Sequence, residues 1–107
     1  MFYKCRIELQ KLKGTVNNIP IDRIKSIYTS IKRYGMEYPI LIDEKLNVKL
    51  GNTRLTVLKL LQKKNDYLVC CVMYSKNKRS DSMIESSKEL ETILGVPTEA
   101  IFRVFNK

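Results

Sequence analysis

The sequence has no histidine and no tryptophan, and it holds three cysteines, three prolines and four glycines among its 107 residues. The missing histidine removes the commonest general base and metal ligand, and no Cys-x-x-Cys pair replaces it, so no tightly bound metal is expected. No apolar run approaches the roughly 18 residues that a membrane span needs, and no membrane partner is expected. Charge interrupts the apolar residues of Met1-Phe2-Tyr3-Lys4-Cys5-Arg6, which therefore does not read as a secretory signal. Three cysteines cannot all pair. Cys70 and Cys71 are neighbours in an apolar run and would face opposite sides of a strand, so one of them is expected to be a buried thiol. A reducing cytoplasm is the simplest location. Acids are scarce too: 11 against 20 lysines and arginines, a net charge of +9.

That charge is unevenly placed. Lys4 to Arg33 carries eight basic residues against Glu8 and Asp22, whereas Asp81 to Glu99 holds five acids against Lys88 alone. A basic body with one acidic element points to a polyanionic partner, and DNA is the partner expected. The candidate DNA contacts are Lys4, Arg6, Lys11, Lys13, Lys76, Lys78 and Arg79.

With no repeat, low-complexity tract or linker, residues 1–107 are read as one domain. Tyr3 to Leu12 alternates, with Cys5, Ile7 and Leu9 on one side, and predicts a half-buried strand. Gly14 to Asn18 is a turn-rich link into Pro20. Ile21, Ile24, Ile27, Tyr28 and Ile31 then recur at helical spacing as far as Tyr34, with Gly35 as C-cap. Pro39 to Ile42 and Leu46 to Leu50 read as a hairpin around Asp43-Glu44-Lys45. A helix from Gly51-Asn52-Thr53 follows, with Leu55, Val57, Leu58, Leu60 and Leu61 as its stripe. Tyr67 to Tyr74 is continuously apolar, as an interior strand should be. Asp81 or Ser82 is expected to cap a third helix running from Met83 to Gly95. The tail from Val96 reads as a helix capped by Thr98, or as a strand; helix is preferred.

Two segments carry a family pattern. Thr29-Ser30-Ile31-Lys32-Arg33-Tyr34-Gly35-Met36-Glu37-Tyr38-Pro39-Ile40-Leu41-Ile42 resembles the S-I-K-x-x-G-x-x-x-P-I-x-V run of the ParB N-terminal domain. Gly51-Asn52-Thr53-Arg54-Leu55 and the helix after it resemble the G-E-R-R-x-x-A-x-x-x-L box. The resemblance covers about half the chain. It implies an α/β (α+β) domain of ParB/sulfiredoxin type, a mixed sheet of about four strands with three to four helices. It also implies a nucleotide or nucleic-acid-binding module acting on plasmid, viral or chromosomal DNA, with a nucleoside triphosphate and Mg²⁺ as the expected ligand.

A strand that stops at a glycine and enters a helix aims the first amides of that helix at one volume, suited to an anion. Gly51, Asn52, Thr53 and Arg54 are therefore the candidate phosphate site, with Lys32 and Arg33 as further contacts implied by the resemblance. The chain also departs from the pattern. Asn52 and Thr53 stand where the family has an acid and an arginine, and no E-N-x-x-R box follows the last strand, which argues against a CTP-gated clamp. Asn52 occupies the place of the catalytic sulfiredoxin cysteine, so sulfinic-acid reduction is not expected. Asp43, Glu44, Asp66 and Asp81 show no spacing that fixes a two-metal nuclease site, and Glu37 is the best candidate for a metal or base partner near the pocket. Two other readings stay open: an NTPase or nuclease using the same pocket, and a protein-interaction domain whose pocket is vestigial. A homodimer is left open.

Overall fold

The structure is a computed structural model that describes residues 1–14, 19–35, 38–62, 64, 66–76 and 82–105. Glu37, Lys78, Arg79 and Asp81 therefore lie outside the described residues. Five strands form one mixed sheet: β1 (Phe2–Glu8), β2 (Ile40–Ile42), β3 (Val48–Leu50), β4 (Leu68–Tyr74) and β5 (Met83–Ile84). Their order is β3-β2-β4-β1-β5. β4 pairs antiparallel with β1 and parallel with β2, the other pairs being antiparallel. Helices α1 (Ile21–Tyr34), α2 (Asn52–Leu61), α3 (Ser87–Leu94) and α4 (Thr98–Phe105) cover it.

The apolar run of β4 reads as continuous because both sheet faces need it. Val69 and Cys71 join Leu9, Leu12, Ile40, Ile42, Val48, Leu55 and Leu58 in a core on the face covered by α2. Val72, the very next residue, belongs to a second core with Phe2, Leu41, Ile84, Leu90, Leu94 and Ile101, under α3 and α4. Phe105 completes this second core, its ring centroid 4.9 Å from Tyr74 and 6.0 Å from Phe2.

The Asp43 turn is held by its own side chain. Asp43 Oδ1 accepts from the Lys45 and Asn47 amides at 2.9 Å each, and Oδ2 accepts from Asn47 Nδ2 at 3.0 Å. This Asx-type bonding lets Leu46 adopt a left-handed φ of 68°, rare for a leucine, while its side chain packs on the first core.

The structure corrects several expectations. Met83 and Ile84 pair with Tyr3 and Phe2 as an edge strand and are not the start of a helix. Consequently Ser86, and neither Asp81 nor Ser82, caps α3, its hydroxyl accepting from the Glu89 amide at 3.1 Å. Thr98 is the first residue of α4 and not its cap; the first turn bonds back to the Pro97 carbonyl. β1 ends at Glu8, and Leu9–Lys11 is a 3-10 turn. Leu60 points away from the core, 62% exposed. No residue of α1 is fully buried: Ile24, Ile27, Tyr28 and Ile31 are half-covered, as an outermost helix packed on α2 would be.

Two outcomes follow for stability. Leu58→Ala, at a site 1% exposed, should cost about 2–5 kcal/mol, whereas Leu60→Ala should stay within about 0.5 kcal/mol; urea unfolding of both variants checks this. Asp43 gives a pH signature. Burial alone would raise its pKa, but the Asn47 and Lys45 hydrogen bonds and the Lys49 charge outweigh it, leaving the carboxyl below its ordinary value. Its stabilising effect is thus fully present above the ordinary carboxylate pKa of about 3.9 and fades as pH falls through the lower folded value. Asp43→Asn should lower Tm at neutral pH and lose less than the parent on acidification.

Candidate phosphate site at the start of the second helix

β3 ends at Leu50, and Gly51 turns the chain into α2 with φ 102° and ψ 21°. Only glycine enters this left-handed geometry without strain. The approach is also close, since a Cβ on Gly51 would lie 3.2 Å from Ile40 Cγ1. The Leu55 amide donates to the Gly51 carbonyl at 2.9 Å and is the first amide used within the helix. The Leu55 amide is therefore spent within the helix and drops out of the anion-facing set that the sequence suggests. Across the gap the chain at Gly14 presses on this turn: a Cβ there would stand 2.7 Å from Asn52 Oδ1 and 2.5 Å from Leu55 Cδ2.

Arg54 leans over the ring of Tyr38, its guanidinium carbon 5.4 Å from the ring centroid. Tyr38 is itself backed by the end of α3, since a Cβ on Gly95 would come within 2.6 Å of the ring. The guanidinium is thus held on an aromatic plate beside the helix start, and among the described residues it has no carboxylate partner. Sequence reading missed Tyr38 as the support for Arg54. Its signal was adjacency to Pro39 at the entry to β2, which fixes the ring close to the strand end that Gly51 abuts.

The other candidates are placed elsewhere. Lys32 and Arg33 lie exposed on the last turn of α1, each over an aromatic ring of that helix, Tyr28 at 5.8 Å and Tyr34 at 5.9 Å. The shallow depression they border is lined by Tyr28 and Thr29 besides, all four on α1, so these two cations are not gathered with Arg54. Lys11 pairs with Glu8 at 3.3 Å. Lys13 bridges to Asn47 beside β3, and the Lys76 amide donates to Glu44 Oε1 at 3.0 Å, so both cations border the β2–β3 hairpin. Lys4 and Arg6 project from β1 into a separate cleft on the other face of the sheet.

The first turn of α2 carries no acid. The turn therefore presents an anion with backbone amides and a guanidinium but no carboxylate. Among the described residues no three His, Cys, Asp or Glu side chains converge as a metal site requires, and no helix is long and apolar enough to cross a membrane. The cysteines divide as the strand period demands, Cys71 buried and Cys70 exposed. Burial, with Cys5 and Cys70 nearby, pushes the Cys71 thiol up to about 12, and burial also raises Cys5. Neither is a nucleophile near neutral pH.

No protein-family model matches the sequence, and no curated protein does. Solved structures do match. The pNOB8-like ParB N-domain in its C2221 crystal form aligns with 99% of this chain at a TM-score of 0.59 and 18% identity. A further structure of the pNOB8-like ParB N-domain aligns with 87% of the chain at 0.50 and 20% identity. The chain spans 37% and 33% of those two solved chains. The fold of this chain is that of a ParB N-domain.

Proposed function

We propose that this chain is a ParB-like module that holds a nucleotide phosphate at the start of α2 and contacts DNA phosphates through its basic surface. The observation that carries the first half is the left-handed Gly51 turn, with Arg54 poised on Tyr38 beside it. A phosphate there would accept from the backbone amides at the positive end of α2 and from the guanidinium, interactions that reinforce one another. Lys32 and Arg33, exposed on the last turn of α1, are not part of this proposed grip.

For DNA the carrying observation is the net charge of +9. The cations best placed for it are Lys13 and Lys76 at the β2–β3 hairpin; Lys11 contributes less because Glu8 already pairs with it. Such binding follows charge and not base sequence.

Thermal-shift screening against ATP, CTP, GTP and ADP with Mg²⁺ tests the nucleotide reading. A ligand present at about a hundred times its Kd should stabilise the chain by about 2.7 kcal/mol. Arg54→Ala should then weaken the responding nucleotide by about tenfold to a hundredfold, the cost of a lost charged hydrogen bond of about 1.5–3 kcal/mol, with Tm of the free protein nearly unchanged. Arg54→Lys should recover only part of the loss, since the planar fork is gone. Gly51→Val should impair both binding and stability through its backbone strain. Calorimetric titration that finds parent affinity in Arg54→Ala would remove the anion site.

DNA affinity should fall linearly in log–log plots against salt. Lys13→Ala and Lys76→Ala should each flatten that slope by about 1 and weaken all sequences alike. Binding that is flat in salt would overturn the charge argument.

A further inference from the structure

The face of the sheet that meets α3 and α4 is only partly covered. β1 sends Phe2, Lys4, Arg6 and Glu8 to that face, and β4 sends Leu68, Cys70, Val72 and Tyr74. The helices cover Phe2, Val72 and Leu41. Beyond them a cleft of about 460 Å³ remains, lined by Lys4, Arg6, Cys70, Pro39 and Ile93 together with Cys5 and Cys71. Pocket size and a mostly apolar lining with a few polar groups are what small-molecule sites share.

The two cations in it are unspent. Both are exposed, and neither lies within ion-pair distance of a carboxylate among the described residues. The acid nearest to Arg6 on the same strand face, Glu8, turns away to Lys11 at 3.3 Å. Lys4 and Arg6 stand two residues apart on one strand, about 6.5–7 Å between their Cα atoms, so long side chains from both can converge on one group. Arg6 is directly opposite Cys70 across the β1–β4 pair. The alternation of the bonding pattern, with Leu9 donating to Tyr67 and Lys4 to Ser82, makes Arg6–Cys70 a narrow, non-hydrogen-bonded pair whose side chains lie close.

We infer that this cleft is a second ligand site, taking a small phosphate monoester with a flat or apolar body. Two cations at one spot match the charge of about −1.5 to −2 that a phosphate monoester carries at neutral pH, and the guanidinium fork suits its oxygens. Pro39 and Ile93 supply the walls for the uncharged part of the ligand. The site lies on the opposite sheet face from α2 and stands whether or not the α2 start binds a nucleotide.

Cys70 is a built-in reporter, exposed within the cleft while Cys71 is buried. The experiment measures the alkylation rate of Cys70 in the intact folded chain, using iodoacetamide, peptide mass spectrometry and AMP as the probe. AMP at about ten times its Kd should slow the reaction about tenfold, since only the empty fraction reacts. Lys4→Ala and Arg6→Ala should each abolish most of this protection with melting curves unchanged, while Arg54→Ala should retain it. That last arm separates this cleft from the α2 site. The inference is overturned if AMP gives no protection into the millimolar range. It is overturned equally if inorganic phosphate protects as well as AMP, which would mean an adventitious ion only, or if Arg54→Ala loses the protection. A single-stranded oligonucleotide that protects Cys70 where AMP does not also overturns it, and assigns the cleft to a nucleic-acid surface.

Discussion

The antiparallel register between β1 and β4, Phe2 opposite Tyr74 through Glu8 opposite Leu68, decides which side chain meets which helix layer. Because side chains alternate strictly, a slip of one residue would send Val69 and Cys71 to the face of α3 and α4, and Val72 to the face of α2. Both cores would lose their contents together. The same register places Arg6 against Cys70, so the cleft on one face and the core on the other are set by a single pairing. β2 joins β4 in parallel on its other side, and this brings Ile40, and with it Pro39 and Tyr38, to the level of Cys71. The support for Arg54 is a consequence of strand pairing far from it in sequence.

Much of this was legible in the residues. The alternation of Cys5, Ile7 and Leu9, the apolar run of β4 and the helical spacing of Ile24, Ile27, Tyr28 and Ile31 each led to the observed element. Gly51 was readable because a glycine between an alternating strand and a helical stripe has few other uses. What escaped was short or non-local. β5 is two residues long and exists only through pairing with Phe2 and Tyr3, so no local period announces it. The true cap of α3 did leave a trace, Ser86 three residues before Glu89, but the apolar Met83 and Ile84 upstream looked like helix. The exposure of Leu60 and Cys70 depends on where helices stop covering a neighbour, which pattern cannot show.

The basic residues teach a related lesson. In sequence Lys4, Arg6, Lys11 and Lys13 form one cluster, and a single polyanion-binding face is the natural reading. Folded, they part: a cleft pair, an ion-paired lysine on a turn, and a lysine at the β2–β3 hairpin. The chain crosses from the β1 side of the sheet to the β3 edge within those few residues. Net charge thus speaks to long-range attraction of an anion, while local chemistry divides among at least three places.

The outermost position of α1 has a kinetic consequence. Its 14 residues include none that is fully buried, while Ile40, Leu41, Ile42 and Val72 are at 0% exposure. The free energy needed to open a segment scales with the apolar surface it exposes on opening. Amides of α1 should therefore exchange with solvent through detachment of that helix alone, leaving the sheet intact. Those of β2 and β4 should exchange only when the whole molecule unfolds. The chain is built as a rigid sheet bearing one loosely held helix, and that helix carries Lys32 and Arg33.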